Sequence, residues 1–186
     1  FTLALVGAGP LPELSMREGA HYLADRFSAE LVLLPCGSEP HSGLQALASR
    51  QRERNHPTLL RLSGDAAMAQ GSSGSWLDAL AAWRCPVLLL AQPNAAGLIP
   101  GLAPASVALC RSLNIPLVGL AQLGGSWDLA ARRMDGLPWC GLLDTTGDGG
   151  DASDALVRSI QQRWKRMNPV MNACLLYTSD AADERH

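Results

Sequence analysis

Residues 85–122 read CPVLLLAQPNAAGLIPGLAPASVALCRSLNIPLVGLAQ, and the pattern inside that stretch decides the fold. Pro86–Ala91 and Leu117–Gln122 are short apolar runs with little polar alternation, as in strands buried on both faces of a parallel sheet. Leu102–Leu113 between them has the length of a helix. Two parallel strands need such a crossover between them, and in one sheet it is right-handed.

The same alternation continues outward in both directions. Further strands are predicted at Thr2–Gly7, Leu31–Pro35, Thr58–Leu62 and Trp139–Leu142. Further helices are predicted at Met16–Phe27, Ser42–Arg54, Ser75–Trp83, Trp127–Met134 and Ser153–Met167. The expected fold class is therefore α/β: a three-layer, doubly wound, mostly parallel sheet of about six strands in a single domain spanning 1–168. Ser75 and Ser153 are expected to cap their helices, with Asp154 favourable at the positive end of the last one. That helix is expected to stop before Asn168-Pro169. Gly71–Gly74 and Thr145–Gly150 read as surface loops.

Residues 169–186 are expected to be a non-native or disordered tail. Cys174 through Glu184 resembles one translated frame of a transposase adapter used in sequencing libraries, which implies a sequenced environmental fragment, so the tail is set apart from fold reasoning. Because Phe1 opens inside an apolar run without Met, a truncated start is expected as well. The full sequence has 17 acidic and 15 basic residues; setting aside Asp180, Asp183, Glu184 and Arg185 brings the net charge to zero. No basic field of the kind that binds a phosphate backbone is left, so nucleic acid is not an expected partner. A hydrophobic share of 47% supports a real core. No apolar run reaches the roughly 18 residues of a membrane span, and no signal-peptide pattern opens the chain; a cytoplasmic protein without a membrane partner is expected.

Cys36, Cys85, Cys110 and Cys140 lack C-x-x-C spacing and read as core or strand-end thiols. His21, His41 and His56 are far apart and suggest no metal site.

In an open parallel sheet, ligands bind beyond the carboxyl ends of the strands, where glycines let backbone amides approach a phosphate. The segment Leu5-Val6-Gly7-Ala8-Gly9-Pro10-Leu11-Pro12-Glu13-Leu14-Ser15 occupies that place and admits three readings. As a dinucleotide fingerprint for a flavin or NAD it supplies Gly7 and Gly9, but Pro12 stands where the third glycine belongs. As a phosphate loop it places Ser15 at the Ser/Thr position, eight residues after Gly7. There, however, Glu13-Leu14 replaces Gly-Lys, and the only lysine in the chain is Lys165. A carboxylate facing phosphates without an ammonium disfavours a polyanion. The third reading is a tight strand-to-helix turn without a ligand.

From Trp76 to Leu143 the order of elements resembles the carboxyl-terminal half of dethiobiotin synthetase and its relatives among the phosphate-loop ligases and cobyrinic-acid synthase-type amidases. Trp76-Leu77-Asp78-Ala79-Leu80-Ala81, Cys85-Pro86-Val87-Leu88-Leu89-Leu90-Ala91, Asn114 through Gln122, and Leu137-Pro138-Trp139-Cys140-Gly141-Leu142-Leu143 carry the resemblance. The resemblance implies an ATP-dependent ligase of biotin-type biosynthesis, with ATP and Mg2+ as cofactors and carboxylate activation as its chemistry. Gln122 takes the place of an Asn that reads adenine, with the same amide donor and acceptor. The loop after Gly141-Leu142, at Leu143 and Asp144, adds base contacts. Asp65, after Gly64, is the counterpart of a magnesium-loop acid. The Asn-His that opens the family's substrate helix is absent after Gly97. In a second register, Leu3 through Leu11 itself resembles the family's Gly-Ala-Gly-Gly loop, and the phosphate loop would then lie upstream. The site residues expected to bind nucleotide are thus Gly7, Gly9, Ser15, Gln122, Leu143 and Asp144, with Asp65 for the metal; no catalytic residue is assigned. The lysine-free loop favours a non-catalytic binding or assembly module of the same fold, with a homodimer as its partner.

Asp144, Asp148, Asp151 and Asp154 surround a Gly-rich loop without the calcium-loop pattern, and read as a solvated loop and helix cap. Arg50, Arg52, Glu53 and Arg54 form an exposed helix end. Trp76, Trp83, Trp127, Trp139 and Trp164 read as core or interface residues. No serine, histidine and acid set can be assembled from spacing.

Overall fold

The computed structural model describes residues 1–146 and 150–167. The expectations for Asp148, for the helix stop at Asn168-Pro169 and for the tail lie outside the described residues. The elements run β1 (Thr2–Gly7), α1 (Glu13–Phe27), β2 (Glu30–Pro35), α2 (Pro40–Arg54), β3 (Thr58–Ser63), α3 (Trp76–Ala82), β4 (Val87–Ala91), α4 (Leu102–Ser112), β5 (Leu117–Leu123), α5 (Leu129–Met134), β6 (Trp139–Leu143) and α6 (Gly150–Met167). All five strand pairings are parallel, in the order β2-β3-β1-β4-β5-β6.

Three helices begin earlier than their apolar periodicity suggests. Pro12, with φ −55°, immediately precedes α1, and its carbonyl accepts the hydrogen bond from Met16 N at 3.1 Å. Pro40 opens α2 at a position where its missing N–H costs nothing, while the Glu39 carboxylate accepts from His41 N and Ser42 N. The expected cap at Ser153 is corrected: α6 starts at Gly150, so Ser153 lies buried inside its first turn, with its hydroxyl 3.4 Å from the Asp144 carbonyl oxygen. The cap at Ser75 is present as expected, with Ser75 and Asp78 exchanging hydrogen bonds in a capping box.

The direction of each crossover assigns the helices to faces. The chain goes from central β1 outward to β2, then works back through β3 and past β1 to β4, β5 and β6. α1 and α6 consequently share one face, where Met16, Ala20, Leu23, Leu156 and Ile160 pack on Leu3, Leu5, Leu59, Leu88 and Leu90. α2, α3 and α4 cover the other, where Leu44, Trp76, Leu80, Val107 and Cys110 pack on Val6, Leu60, Leu62, Val87 and Leu89. Trp164 of α6 reaches the amino end of the sheet and donates to the Thr2 carbonyl at 3.0 Å.

Two irregularities set the far side of the sheet. The β4–β5 register skips Val118, and the β5–β6 register skips Cys140. An extra residue reverses the facing of every side chain after it. Val118 and Ala121 therefore face α1 and α6 together, although strict alternation would separate them, and Leu123 and Leu143 follow onto that face. The φ of Gly119 is +152°, and a Cβ there would lie 2.5 Å from the Pro138 carbonyl oxygen. Arg163 of α6 serves the same spot: Nη1 donates to the Pro138 and Val118 carbonyls at 2.9 and 3.3 Å, and Nη2 to that of Trp139 at 2.7 Å.

Candidate functional site

The helices on either side of β1 leave it toward opposite faces: α1 follows β1, while α3 and α4 follow its flanks on the other side. Such a switch point opens a crevice at the carboxyl ends of the strands. The crevice is present as a cleft of about 220 Å³ between the β1 loop, the β3 loop and α4. Gly7, Gly9 and Pro10 form one wall, Asp65, Ala66 and Ala67 a second, and Leu102, Ala105, Ser106 and Leu109 the third.

The β1 loop needs its glycines. A Cβ on Gly7 would sit 2.8 Å from the Gly9 carbonyl oxygen. Gly9 has φ +88°, and a Cβ there would strike Leu102 Cδ1 at 2.6 Å, so the loop lies directly against the first turn of α4. Across the cleft, Asp65 folds its own loop by accepting from Ala67 N at 3.0 Å. Among the described residues its carboxylate is the only charged group on the lining.

Three of the seven residues expected at a nucleotide site, Gly7, Gly9 and Asp65, thus come together. The other four lie elsewhere. Ser15 is in the first turn of α1 and does not line the cleft. Gln122 is fully buried, and its amide is engaged: Nε2 donates to the Gly124 and Ser126 carbonyls at 2.9 and 3.0 Å, and Oε1 accepts from Arg132 Nε at 3.2 Å. The Leu143 side chain is buried in the layer beneath α1 and α6. Asp144 accepts from the Thr146 hydroxyl and amide, which holds its carboxyl below the usual carboxylate range. A second depression, of about 430 Å³, is lined by Gln92 through Gly97 and by Leu123, Gly125 and Ser126.

The feature that spacing did not reveal is an ion pair beside the β1 loop. Glu13 does not project toward a ligand; its carboxylate binds Arg61 Nη1 and sits 3.3 Å from Ser63 Oγ. The Arg61 hydrogen bond, more than the weaker attraction of Arg61 and Arg17, lowers the Glu13 pKa from its ordinary value. One signal was available: Arg61 is a lone charge within the otherwise apolar strand run of Thr58–Leu62.

Burial raises the pKa of all four described thiols, Cys140 included. Burial pushes Cys85 up to about 12 and Cys110 up to about 11, while burial and the nearby Asp65 carboxylate bring Cys36 to about 11. Among the described residues there is no cluster of three or more His, Cys, Asp or Glu able to hold a metal, and no helix long and apolar enough to cross a membrane. The chain matches no protein-family model and no curated protein.

Proposed function

We propose that this domain binds a small molecule in the cleft at the carboxyl end of β1, with an adenine nucleotide and Mg2+ as the ligand its residues favour, and that it does not transfer the phosphoryl group. The convergence of Gly7, Gly9 and Asp65 on one cleft carries the reading. Glycines next to a helix that follows a strand suit phosphates, and Asp65 across the cleft would be the carboxylate to hold the Mg2+ that accompanies them. Support for binding without transfer comes from the loop, where Glu13-Leu14 stands in place of Gly-Lys and Glu13 is held on Arg61. Phosphoryl transfer depends on cations that neutralise the developing charge, and among the described residues neither Lys nor Arg lines this cleft. Carboxylate activation, the ligase chemistry implied by the resemblance, is therefore the less favoured use of the site.

The test is thermal unfolding with Mg–ATP, Mg–ADP and adenosine at fixed ionic strength. Mg–ATP is expected to raise the midpoint saturably without releasing phosphate, and Asp65→Asn to weaken the Mg2+-dependent part, because a ligand that binds only the folded chain must stabilise it. A midpoint that none of the three moves sinks the nucleotide reading.

A second reading, an assembly module of the same fold, is favoured by the outer surface around α4. Leu98, Leu102 and Leu109 are exposed there at 64%, 51% and 38%, and Arg111 is the only charged residue between Cys85 and Trp127.

A further inference from the structure

Arg61 lies on the face of β3 that packs against α1, with Leu59 on the same face of the strand and Leu5 as its partner across β1. Its side chain is only 6% exposed. A cation in such a layer is costly, and well-packed apolar residues are commonly as stable or more so in place of a buried ion pair. The pairing is also incomplete for an arginine. Its planar fork suits two oxygens of one oxyanion at once. Glu13 meets it through the single nitrogen Nη1 and turns its other oxygen toward Ser63.

The two partners differ in freedom. The Glu13 side chain is 59% exposed, at the start of α1, and can rotate into solvent; Arg61 is fixed within the sheet. Glu13 directly follows the loop whose Gly7, Gly9 and Pro10 wall the cleft, although neither Glu13 nor Arg61 lines it. Arg17, one turn along α1, is a further positive charge acting on the same carboxylate.

We propose that Arg61 is the receptor for a phosphate group and that Glu13 is its resident internal anion, which an incoming phosphate displaces. The phosphate is either free or carried by the nucleotide of the cleft; only its source rests on the proposed function. In the resting protein, apparent affinity is reduced by the fraction of molecules in which Glu13 has left Arg61.

The experiment measures thermal midpoints of wild type, Glu13→Gln and Glu13→Gln/Arg61→Met against inorganic phosphate and against ADP, with chloride holding ionic strength constant. Phosphate is expected to stabilise Glu13→Gln saturably, at a half-effect concentration about tenfold or more below that of wild type. The response is expected to vanish in the double variant. Equal responses in all three proteins, or none in Glu13→Gln, overturn the proposal. A response of Glu13→Gln to ADP but not to phosphate also overturns it while leaving the nucleotide reading standing. A response to phosphate that ADP does not improve supports Arg61 as receptor and removes the nucleotide as source. Should Glu13→Gln fail to fold, Glu13→Asp, which retracts the carboxylate by one methylene, takes its place with the same outcomes.

Discussion

Glu13 and Arg61 show how one pair of side chains can divide a stabilising role from a ligand role. At neutral pH, Glu13→Gln is expected to cost about 1 kcal/mol, since one partner is exposed and the other buried. The Glu13 carboxyl is held below its ordinary value in the folded chain, so its contribution is complete above the unfolded glutamate value of about 4.3 and is lost as the pH falls through the lower folded value. Urea titrations of wild type and Glu13→Gln should accordingly converge as the medium is acidified. Glu13→Gln/Arg61→Met is expected to be at least as stable as wild type; a large loss would make the pair a structural strut instead. That Gly7 and Gly9 wall a cleft was legible in the sequence because crevices form at the carboxyl ends of strands that can be located by their apolar runs, whereas Asp65 was reached only through the resemblance. The role of Arg61 was not legible, because spacing along the chain does not tell which helix start a strand residue faces. Gln122 stands at the strand end where it was expected, but the Gly124–Ser126 turn folds back onto its amide, and no one-dimensional pattern announces that turn.

Strands and helices were the most legible part of the chain, and every predicted one is present with ends displaced by no more than three residues. What the apolar runs concealed is the pair of skipped residues, Val118 and Cys140. Strands buried on both faces are apolar at every position, so an inserted residue leaves no break in the pattern. Around the skipped residues the Val118, Pro138 and Trp139 carbonyls each accept from Arg163, for Pro138 in addition to the bond it accepts from Leu120 N. Arg163→Met keeps the aliphatic stem and removes the donors; it is expected to destabilise the fold by about 1–3 kcal/mol in urea titration, because buried acceptors would lose a charged partner. A change within a few tenths of a kcal/mol would mean that water or backbone adjustment serves those carbonyls equally well. Leu143 illustrates the same limit: it was expected to contribute to a base pocket, and the shift at Cys140 sends it into the layer beneath α1 and α6.

Among the described residues, the layer beneath α1 and α6 is covered, while leucines stay exposed around α4. The exposed leucines around α4 border the cleft, since Leu102 and Leu109 also line it. Contiguous apolar surface of this kind commonly marks an interaction site. If assembly is its use, the chain should elute as a dimer whose population falls on dilution, and Leu109→Glu should shift it to monomer without lowering the unfolding midpoint; a monomer at all concentrations removes that reading. The completed layer carries a different consequence, one of time. α6 is the last described helix to leave the ribosome, yet it supplies Leu156 and Ile160 to the face that Leu88, Leu90, Val118 and Ala121 present, and Trp164 ties it back to Thr2. From the synthesis of β4 to that of α6, a leucine-lined sheet face has only α1 to cover it. At ordinary elongation rates the interval is on the order of ten seconds, so the nascent chain, rather than the finished domain, is where this protein is most open to chaperone capture or to aggregation.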